Sequence, residues 1–130
     1  MALILVIDDD GFYRSVVRRI LEGEGHAVIE AENGYEGLSI YQEYGPALVI
    51  TDMDMPGLHG GEVIRRLRAL DQQARVIAVS GISSFYDADL FHCGQELGAD
   101  AVLRKLDSSQ RIVAEAARLL ADPPPAAEAA

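Results

Sequence analysis

The sequence predicts an α/β fold in which a parallel five-stranded sheet carries helices on both faces. Five short apolar runs alternate with five stretches whose apolar residues recur at helical spacing. The most apolar runs, residues 3–7 and 47–50, are typical of strands buried on both faces. Strands that alternate with helices form parallel sheets with right-handed crossovers. Functional groups in such sheets gather where the strands end, at their carboxyl edge.

The first two strand–helix units are predicted within residues 3–45. Asp10 is a natural N-cap for the helix after the first strand. We expect this helix to bury one stripe of apolar residues, which comprises Phe12, Val16, Val17, Ile20 and Leu21. Residues 27–31 form a less apolar strand, expected near an edge of the sheet. The second helix carries Tyr35, Leu38 and Tyr41, and it stops before Pro46 because proline disfavours helical backbone in the preceding residue.

The remaining units follow the same pattern. The central strand, residues 47–51, leads into an acidic loop, and a fourth strand covers residues 75–80. A short fifth strand is predicted at residues 100–105. The third helix carries the apolar stripe Val63, Ile64, Leu67 and Leu70. The fourth helix carries Leu90, Cys93, Gly94 and Leu97 on one face. The last helix carries the stripe Ile112, Val113, Ala116, Leu119 and Leu120. Ser108 or Ser109 can cap the last helix.

Domain organisation follows from these elements. We expect residues 1–121 to form one domain, which is long enough to bury a substantial core. Residues 122–130 are rich in proline and alanine, and we expect a disordered tail or the stub of a linker there.

Composition and charge narrow the classes of function. The net charge is −10, from 21 acidic and 11 basic residues. Nucleic acid is therefore not expected as a partner, because affinity for phosphate comes from clustered Lys and Arg. No apolar run approaches the roughly 20 residues that span a bilayer, so we expect no membrane association. Residues 2–7 show no basic region or cleavage site, so we expect no export signal. The single cysteine, Cys93, fits a reducing cytoplasm, where we expect the chain.

Polar side chains stand at the ends of four predicted strands. These residues are Asp8 and Asp9 after the first strand, Asp52 and Asp54 after the third, Ser80 at the end of the fourth and Lys105 at the end of the fifth. Each has an ordinary explanation when taken alone, as a turn residue, a helix cap or a surface lysine. In a parallel sheet they all lie at one edge, and this coincidence favours a functional site.

The chemistry of these groups is consistent with phosphoryl transfer. Crowded carboxylates repel one another unless a cation joins them. Mg²⁺ is the natural cation, because it prefers oxygen and is usually held by one or two carboxylates with water and phosphate. An aspartate can itself act as a nucleophile and form an aspartyl-phosphate. A metal and an ammonium group would neutralise the charge that develops on the transferring phosphoryl group.

These motifs, in this order, resemble those of receiver (response-regulator) domains of bacterial two-component signalling. The matching segments are Ile7-Asp8-Asp9, Asp52-Met53-Asp54-Met55-Pro56-Gly57 with Gly60 after it, Ser80-Gly81, Gly98-Ala99-Asp100, and Lys105. The resemblance runs from residue 3 to about residue 120. It implies a flavodoxin-like doubly wound (βα)5 fold with strand order 2-1-3-4-5.

The resemblance also implies a role for each acidic residue. Asp52 would be the phosphoacceptor, taking a phosphoryl group from the phosphohistidine of a sensor histidine kinase or a histidine phosphotransfer protein. Asp9 would ligate Mg²⁺ directly, and Asp8 would do so largely through water. Asp52 would be a further ligand, and Asp54 would offer its backbone carbonyl. Mn²⁺ would be an alternative to Mg²⁺.

Two further residues and the output surface complete what the resemblance implies. Lys105 would pair with the phosphoryl oxygens, and Ser80 would move to hydrogen-bond them. The fourth helix, fifth strand and last helix would then signal to an unknown output protein, because no output domain follows in this chain. Dimerisation on phosphorylation is a further expectation. The chain would not be an enzyme, since it would catalyse only its own phosphotransfer and dephosphorylation.

Departures from the family pattern leave two other functions open. Leu106 stands where the family usually has proline, Val102 where it often has an aromatic switch residue, and His59 where aspartate is common. The first two favour a receiver-like interaction module that phosphate does not switch. Asp54 also stands where a small Mg²⁺-dependent phosphohydrolase would need its acid/base group, although such an enzyme would need a substrate pocket as well.

Overall fold

The computed structural model describes residues 1–81, 98–105 and 107–121. Its strands are β1 (Leu3–Ile7), β2 (Ala27–Ala31), β3 (Leu48–Asp52), β4 (Val76–Ser80) and β5 (Ala101–Arg104). Its helices are α1 (Gly11–Gly23), α2 (Gly34–Tyr44), α3 (Gly60–Leu70) and α4 (Ser109–Ala121). The predicted helix with Leu90, Cys93, Gly94 and Leu97, the tail 122–130 and Leu106 lie outside the described residues. None of the described helices is long and apolar enough to cross a bilayer.

The five strands form one sheet in the order β2-β1-β3-β4-β5, and every neighbouring pair is parallel. This confirms the predicted fold and strand order. The less apolar β2 lies at an edge, as expected, whereas all residues of β3 and β4 are buried. Strand β3 is central, so its last residue, Asp52, lies in the middle of the carboxyl edge.

Alternating side chains of the strands build two apolar layers, one on each face of the sheet. One layer joins Leu5, Ile7, Val49, Val76 and Ala78 to Leu38 of α2 and to Val63, Ile64 and Leu67 of α3. The other joins Ile4, Val6, Leu48, Ile50 and Val79 to Val17 and Leu21 of α1 and to Ile112, Ala116 and Leu119 of α4. The sheet is therefore covered on both faces, and its polar groups are left at the strand ends.

Helix α1 begins where predicted, but only part of its predicted stripe is buried. The Asp10 carboxylate accepts hydrogen bonds from the N–H groups of residues 12 and 13, as an N-cap does. Phe12 and Val16, which we predicted to be buried, are 78% and 38% exposed. Tyr13 takes their place in the layer that contains Val17. The prediction was right for Val17 and Leu21, which are buried, and wrong for Phe12 and Val16, because the buried stripe begins at Tyr13.

At the contact between α2 and α3, two residues of the predicted stripes are exposed. Tyr35 and Leu70 were predicted as members of the buried stripes, but both are exposed. They lie at the edges of their stripes and line a shallow groove between the two helices. The guanidinium of Arg66 lies 5.8 Å from the centre of the Tyr35 ring.

Arg68 connects the end of α3 to the starts of two strands. Its guanidinium donates to the carbonyl of Ala74, to the carbonyl of Gly98 at 2.6 Å and to the carboxylate of Asp100 at 3.1 Å. The same Asp100 oxygen accepts the N–H of Val76 at 2.8 Å. These contacts fix β4 and β5 relative to each other, and hence the positions of the residues at their far ends.

Gly60, the first residue of α3, packs directly on the end of β3. A Cβ atom at this position would overlap the carbonyl oxygen of Asp52 and lie 2.5 Å from the Cα of Met53. Both neighbours are backbone atoms, so neither can move aside as a flexible side chain would. The approach of α3 to the functional edge therefore requires glycine.

We expect Gly60→Ala to lower the free energy of unfolding by about 1–3 kcal/mol, because the added methyl group overpacks a backbone contact. Urea denaturation followed by far-ultraviolet circular dichroism measures the change. Gly23→Ala is the matched control: apart from its chain neighbours and its own helix backbone, no described atom would lie within 4 Å of the new methyl group, and we expect unchanged or slightly higher stability. Equal stability of the two variants would contradict this packing.

Candidate functional site

Three carboxylates meet at the carboxyl ends of β1 and β3. These strands are neighbours in register, with Ile7 opposite Thr51, so the residues that follow these positions lie side by side. One oxygen each of Asp8, Asp9 and Asp52 lies within 4.8 Å of the others. Asp8 and Asp52 are buried, whereas Asp9 is exposed at the entrance.

Lys105 brings a positive charge to this cluster. Its ammonium lies 3.0 Å from Asp8 Oδ2 and 3.6 Å from Asp52 Oδ2. The residue follows β5, and its N–H donates to the carbonyl of Ser80 at 3.1 Å, which extends the pairing of β4 with β5. From there the side chain reaches across the end of β4 to the centre of the sheet.

Backbone hydrogen bonds orient both buried carboxylates in the same way. Asp8 Oδ1 accepts the N–H of Asp10 at 2.8 Å, and Asp52 Oδ1 accepts the N–H of Asp54 at 3.2 Å. In each case the other oxygen, Oδ2, is the one that lies near Lys105. Both carboxylates are thus held by the turn that follows their own strand.

Burial and crowding perturb the acidity of these groups. Burial raises the pKa of Asp52 to about 7, and the neighbouring Asp8 acts in the same direction, although Lys105 and the Asp54 N–H oppose them. Burial likewise raises the pKa of Asp8. Burial acts to lower the pKa of Lys105, but the two carboxylates outweigh it and raise that pKa overall. The site therefore holds more negative charge than one ammonium can balance.

The residues present fit a hard divalent cation. All donors in the cluster are carboxylate oxygens, the type that Mg²⁺ prefers. The buried Asp8 Oδ2 has the ammonium of Lys105 as its neighbour at 3.0 Å. The exposed Asp9 lies beside the two buried acids, where an ion could keep part of its water shell.

The remaining predicted site residues lie at the same edge with different orientations. Ser80 is fully buried, and its hydroxyl lies 3.5 Å from the carbonyl oxygen of Leu103, at the long limit for a hydrogen bond. Asp54 is exposed, and its backbone N–H contacts Asp52. The roles of the Ser80 hydroxyl and the Asp54 carbonyl stay predictions.

Sequence reasoning missed two residues of α1 that contact the site. The ring centre of Tyr13 lies 4.7 Å from the Lys105 ammonium. Arg14 donates to the backbone carbonyl of Asp8 at 2.6 Å, and it pairs with Glu30 of β2 at 2.9 Å. Counting the helix from its Asp10 cap would have placed Tyr13 on the buried stripe. An isolated acid within an apolar strand, Glu30, was the available signal for a buried partner such as Arg14.

The comparisons with known proteins agree with this geometry. A family model described as "Response regulator receiver domain" matches residues 4–117. The chain belongs to this family. Receiver domains interact with histidine kinases and phosphotransfer proteins, and they bind Mg²⁺ at an acidic pocket. In this receiver domain the carboxylates of Asp8, Asp9 and Asp52 form an acidic cluster.

Individual relatives are consistent with the family. The receiver domain is 32% identical to sporulation initiation phosphotransferase F of Bacillus subtilis over 96 residues, which is 74% of this chain and 75% of that protein. It is 38% identical to the uncharacterized transcriptional regulatory protein YkoG of Bacillus subtilis over 78% of this chain, but it spans only 43% of that protein. A solved receiver domain protein from Clostridium thermocellum superposes with a TM-score of 0.85 at 31% identity, over 92% of this chain and 94% of its own.

We expect Asp52→Asn to raise the free energy of unfolding by about 4 kcal/mol at about pH 8.5 in the absence of divalent ions. The ordinary pKa is 3.8 and the folded value about 7, so between them the folded state keeps a proton that the unfolded state releases. Wild-type stability therefore falls as pH rises through this window. The variant lacks this loss, so the difference between the two proteins grows from about pH 4 to about pH 7.

Urea denaturation of both proteins across this pH range, in the presence of a chelator, measures the difference. Asp54→Asn is the control, because it removes an exposed carboxylate from the same loop and should change stability by less than about 0.5 kcal/mol at any pH. A pH-independent difference between wild type and Asp52→Asn would contradict the account of Asp52.

Proposed function

We propose that this receiver domain accepts a phosphoryl group on Asp52 from the phosphohistidine of a sensor histidine kinase or a histidine phosphotransfer protein. The observation that carries the proposal is the placement of Asp52 Oδ2, 3.6 Å from the ammonium of Lys105, while a backbone N–H holds Oδ1. A carboxylate fixed in this way has one oxygen oriented for attack and a cation beside the charge that develops.

The transfer step needs no oxidant or reductant. An oxygen of the Asp52 carboxylate forms a bond to phosphorus, and the bond between phosphorus and the donor imidazole nitrogen breaks. The electron pair of that bond goes to the nitrogen, which is then free to take up a proton from water. The product is an aspartyl-phosphate, whose phosphoryl oxygens the Lys105 ammonium can meet as a point charge.

Asp8, Asp9 and Asp52 would hold Mg²⁺, with the backbone carbonyl of Asp54 as a further ligand and Mn²⁺ as a substitute ion. When bound, the ion neutralises charge on the transferring phosphoryl group. The Asp10 N–H supports this set because it orients Asp8 through Oδ1, so that Oδ2 faces the other charged groups of the site.

The proposed output is a change in protein–protein contacts. The hydroxyl of Ser80 lies at the end of β4, 3.5 Å from the carbonyl oxygen of Leu103. In the proposed phosphorylated form it moves to a phosphoryl oxygen on Asp52. Such a movement would alter the loop after β4 and the surface that includes β5 and α4. Residues 82–97, which contribute to the predicted signalling face, lie outside the described residues. Dimerisation of the phosphorylated form is part of this proposal.

The proposed catalysis is limited to the domain's own phosphorylation and dephosphorylation. Hydrolysis of the aspartyl-phosphate returns Asp52 to its starting state, with the exposed Asp54 at the edge of the water-accessible entrance. Repeated turnover of a small phosphomonoester would identify a phosphohydrolase instead.

One observation favours a second function, an interaction module that phosphate does not switch. Val102 is buried in β5, in the layer under α2 and α3, and it carries no ring that could move between two positions. Binding to a partner that is unchanged by the phosphoryl analogue beryllofluoride would support this alternative. Binding that depends on beryllofluoride would exclude it.

We expect the protein to incorporate one phosphoryl group when it is incubated with Mg²⁺ and either acetyl phosphate or a cognate kinase. The label should be stable in acid and labile in base, as an acyl phosphate is, and Asp52→Asn should abolish it. Intact-protein mass spectrometry measures the uptake. Absence of a label, or a label that survives Asp52→Asn, would contradict the proposed function.

We expect Mg²⁺ at about ten times its Kd to raise the free energy of unfolding by about 1.4 kcal/mol, because binding to the folded state alone stabilises it. Thermal unfolding with and without Mg²⁺ measures this effect. Asp9→Ala should abolish it, since a ligand is lost. Asp54→Ala keeps the backbone carbonyl and should retain most of it. Equal responses of the two variants would contradict the proposed ligand set.

A further inference from the structure

Tyr13 occupies a position at the site that the proposed function has not used. It lies in the first turn of α1, and its N–H contacts the capping carboxylate of Asp10 at 3.3 Å. Its ring centre lies 4.7 Å from the Lys105 ammonium, well within the roughly 6 Å range of a cation–π interaction. The ring also packs against the apolar layer that contains Val17, so the core holds it in place.

Among the described residues, the ring and two carboxylates approach the ammonium from different parts of the site. Two carboxylate oxygens approach it, Asp8 Oδ2 at 3.0 Å and Asp52 Oδ2 at 3.6 Å, and the Tyr13 ring is its aromatic neighbour. The side chain of Lys105 is 12% exposed, so little water competes for it. Cation–π interactions strengthen when the cation is desolvated in this way.

Two features of the chain make the position of the Lys105 ammonium dependent on its contact with the Tyr13 ring. The ammonium ends a flexible four-carbon chain that leaves the sheet at β5, an edge strand. It is also closer to Asp8 than to Asp52, the residue that it must serve during phosphoryl transfer. A fixed aromatic face limits how far the ammonium can move away from Asp52.

We propose that Tyr13 is a positioning residue for phosphotransfer, and that the face of its ring holds the Lys105 ammonium beside Asp52. The inference rests on the proposed function of Asp52 as phosphoacceptor. Burial, with the charges of Asp8 and Asp52, raises the pKa of Tyr13, so the ring remains a neutral phenol. The attraction comes from the π face alone, and the hydroxyl is dispensable.

A purely structural role and a positioning role predict different results. A core residue needs the right volume and an apolar surface, and these change little when hydrogen atoms of a phenyl ring are replaced by fluorine. The negative potential of the ring face falls with each fluorine, and with it the attraction for a cation. A fluorination series therefore changes the electrostatics of the ring while it leaves the packing nearly constant.

The test replaces Tyr13 in the full chain by phenylalanine and by phenylalanines with one, two and three ring fluorines. The maximal rate of Asp52 phosphorylation is measured with saturating acetyl phosphate and Mg²⁺, a small donor that needs no docking on α1. We expect Tyr13→Phe to remain within about twofold of wild type. The rate should fall stepwise with fluorine number, by about five- to thirtyfold overall, and Tyr13→Leu should show a similar loss.

Two controls separate the proposal from an effect on folding. Tyr44→Leu removes an exposed tyrosine at the far end of α2 and should leave the rate unchanged. In a Lys105→Met background, which has no ammonium, the fluorination series should be flat. A flat series in the wild-type background, with unchanged urea stability, would overturn the positioning role.

A second measurement distinguishes failure of this inference from failure of the proposed function. The Tyr13 ring should shift the ¹³Cε resonance of Lys105 by its ring current, and the shift should persist in Tyr13→Phe and vanish in Tyr13→Leu. A shift with no phosphorylation of the wild type would leave the contact in place but refute the phosphoacceptor and positioning roles together. Normal phosphorylation with no ring-current shift would refute the Tyr13 role alone.

Discussion

The site depends on one electrostatic constraint: two carboxylates are buried side by side, and one ammonium lies close to both. Asp8 and Asp52 are 1% and 3% exposed, so water cannot screen their repulsion. Lys105 offsets part of it, with separations of 3.0 and 3.6 Å. The negative charge that remains favours the binding of a cation beside these carboxylates. The turns, the helix cap and the contacts of α1 all serve this arrangement.

The parallel sheet allows a short chain to bring these charged groups together. Neighbouring parallel strands end at the same edge, so residues distant in sequence, such as Asp8, Asp52 and Lys105, need no special loops to meet. The apolar layers on both faces fix the strands, and Arg68 ties β4 to β5 at the opposite edge. Stability at one edge thus permits an unfavourable charge cluster at the other.

Most of the fold and part of the site could be predicted from the sequence because they depend on patterns along the chain. Apolar runs ending in Asp8, Asp52, Ser80 and Lys105 are visible without coordinates, and parallel pairing brings their ends together. The contacts that were not predicted depend on which residues of a helix face the core and on how far long side chains reach. Tyr13 was missed because Phe12 and Val16 made a more apolar stripe one residue away, although both are exposed.

Long basic side chains were the least predictable part of the site. Arg14 and Arg68 lie outside the predicted apolar stripes, yet each reaches backbone carbonyls of other segments, at Asp8 and at Gly98. A sequence pattern gives the direction in which a helix face points, whereas a guanidinium can reach several ångströms beyond it. The same reach explains how Lys105, on an edge strand, arrives at the centre of the sheet.

The central claim is that burial and the neighbouring Asp8 raise the pKa of Asp52, because Lys105 offsets only part of the negative charge. The most direct measurement is the titration of the Asp52 side-chain carboxyl ¹³C resonance, with and without Mg²⁺. The account predicts a midpoint near pH 7 in the absence of metal and a clear shift to lower pH at saturating Mg²⁺. A midpoint near the ordinary value of 3.8 without metal, unaffected by Mg²⁺, would contradict it.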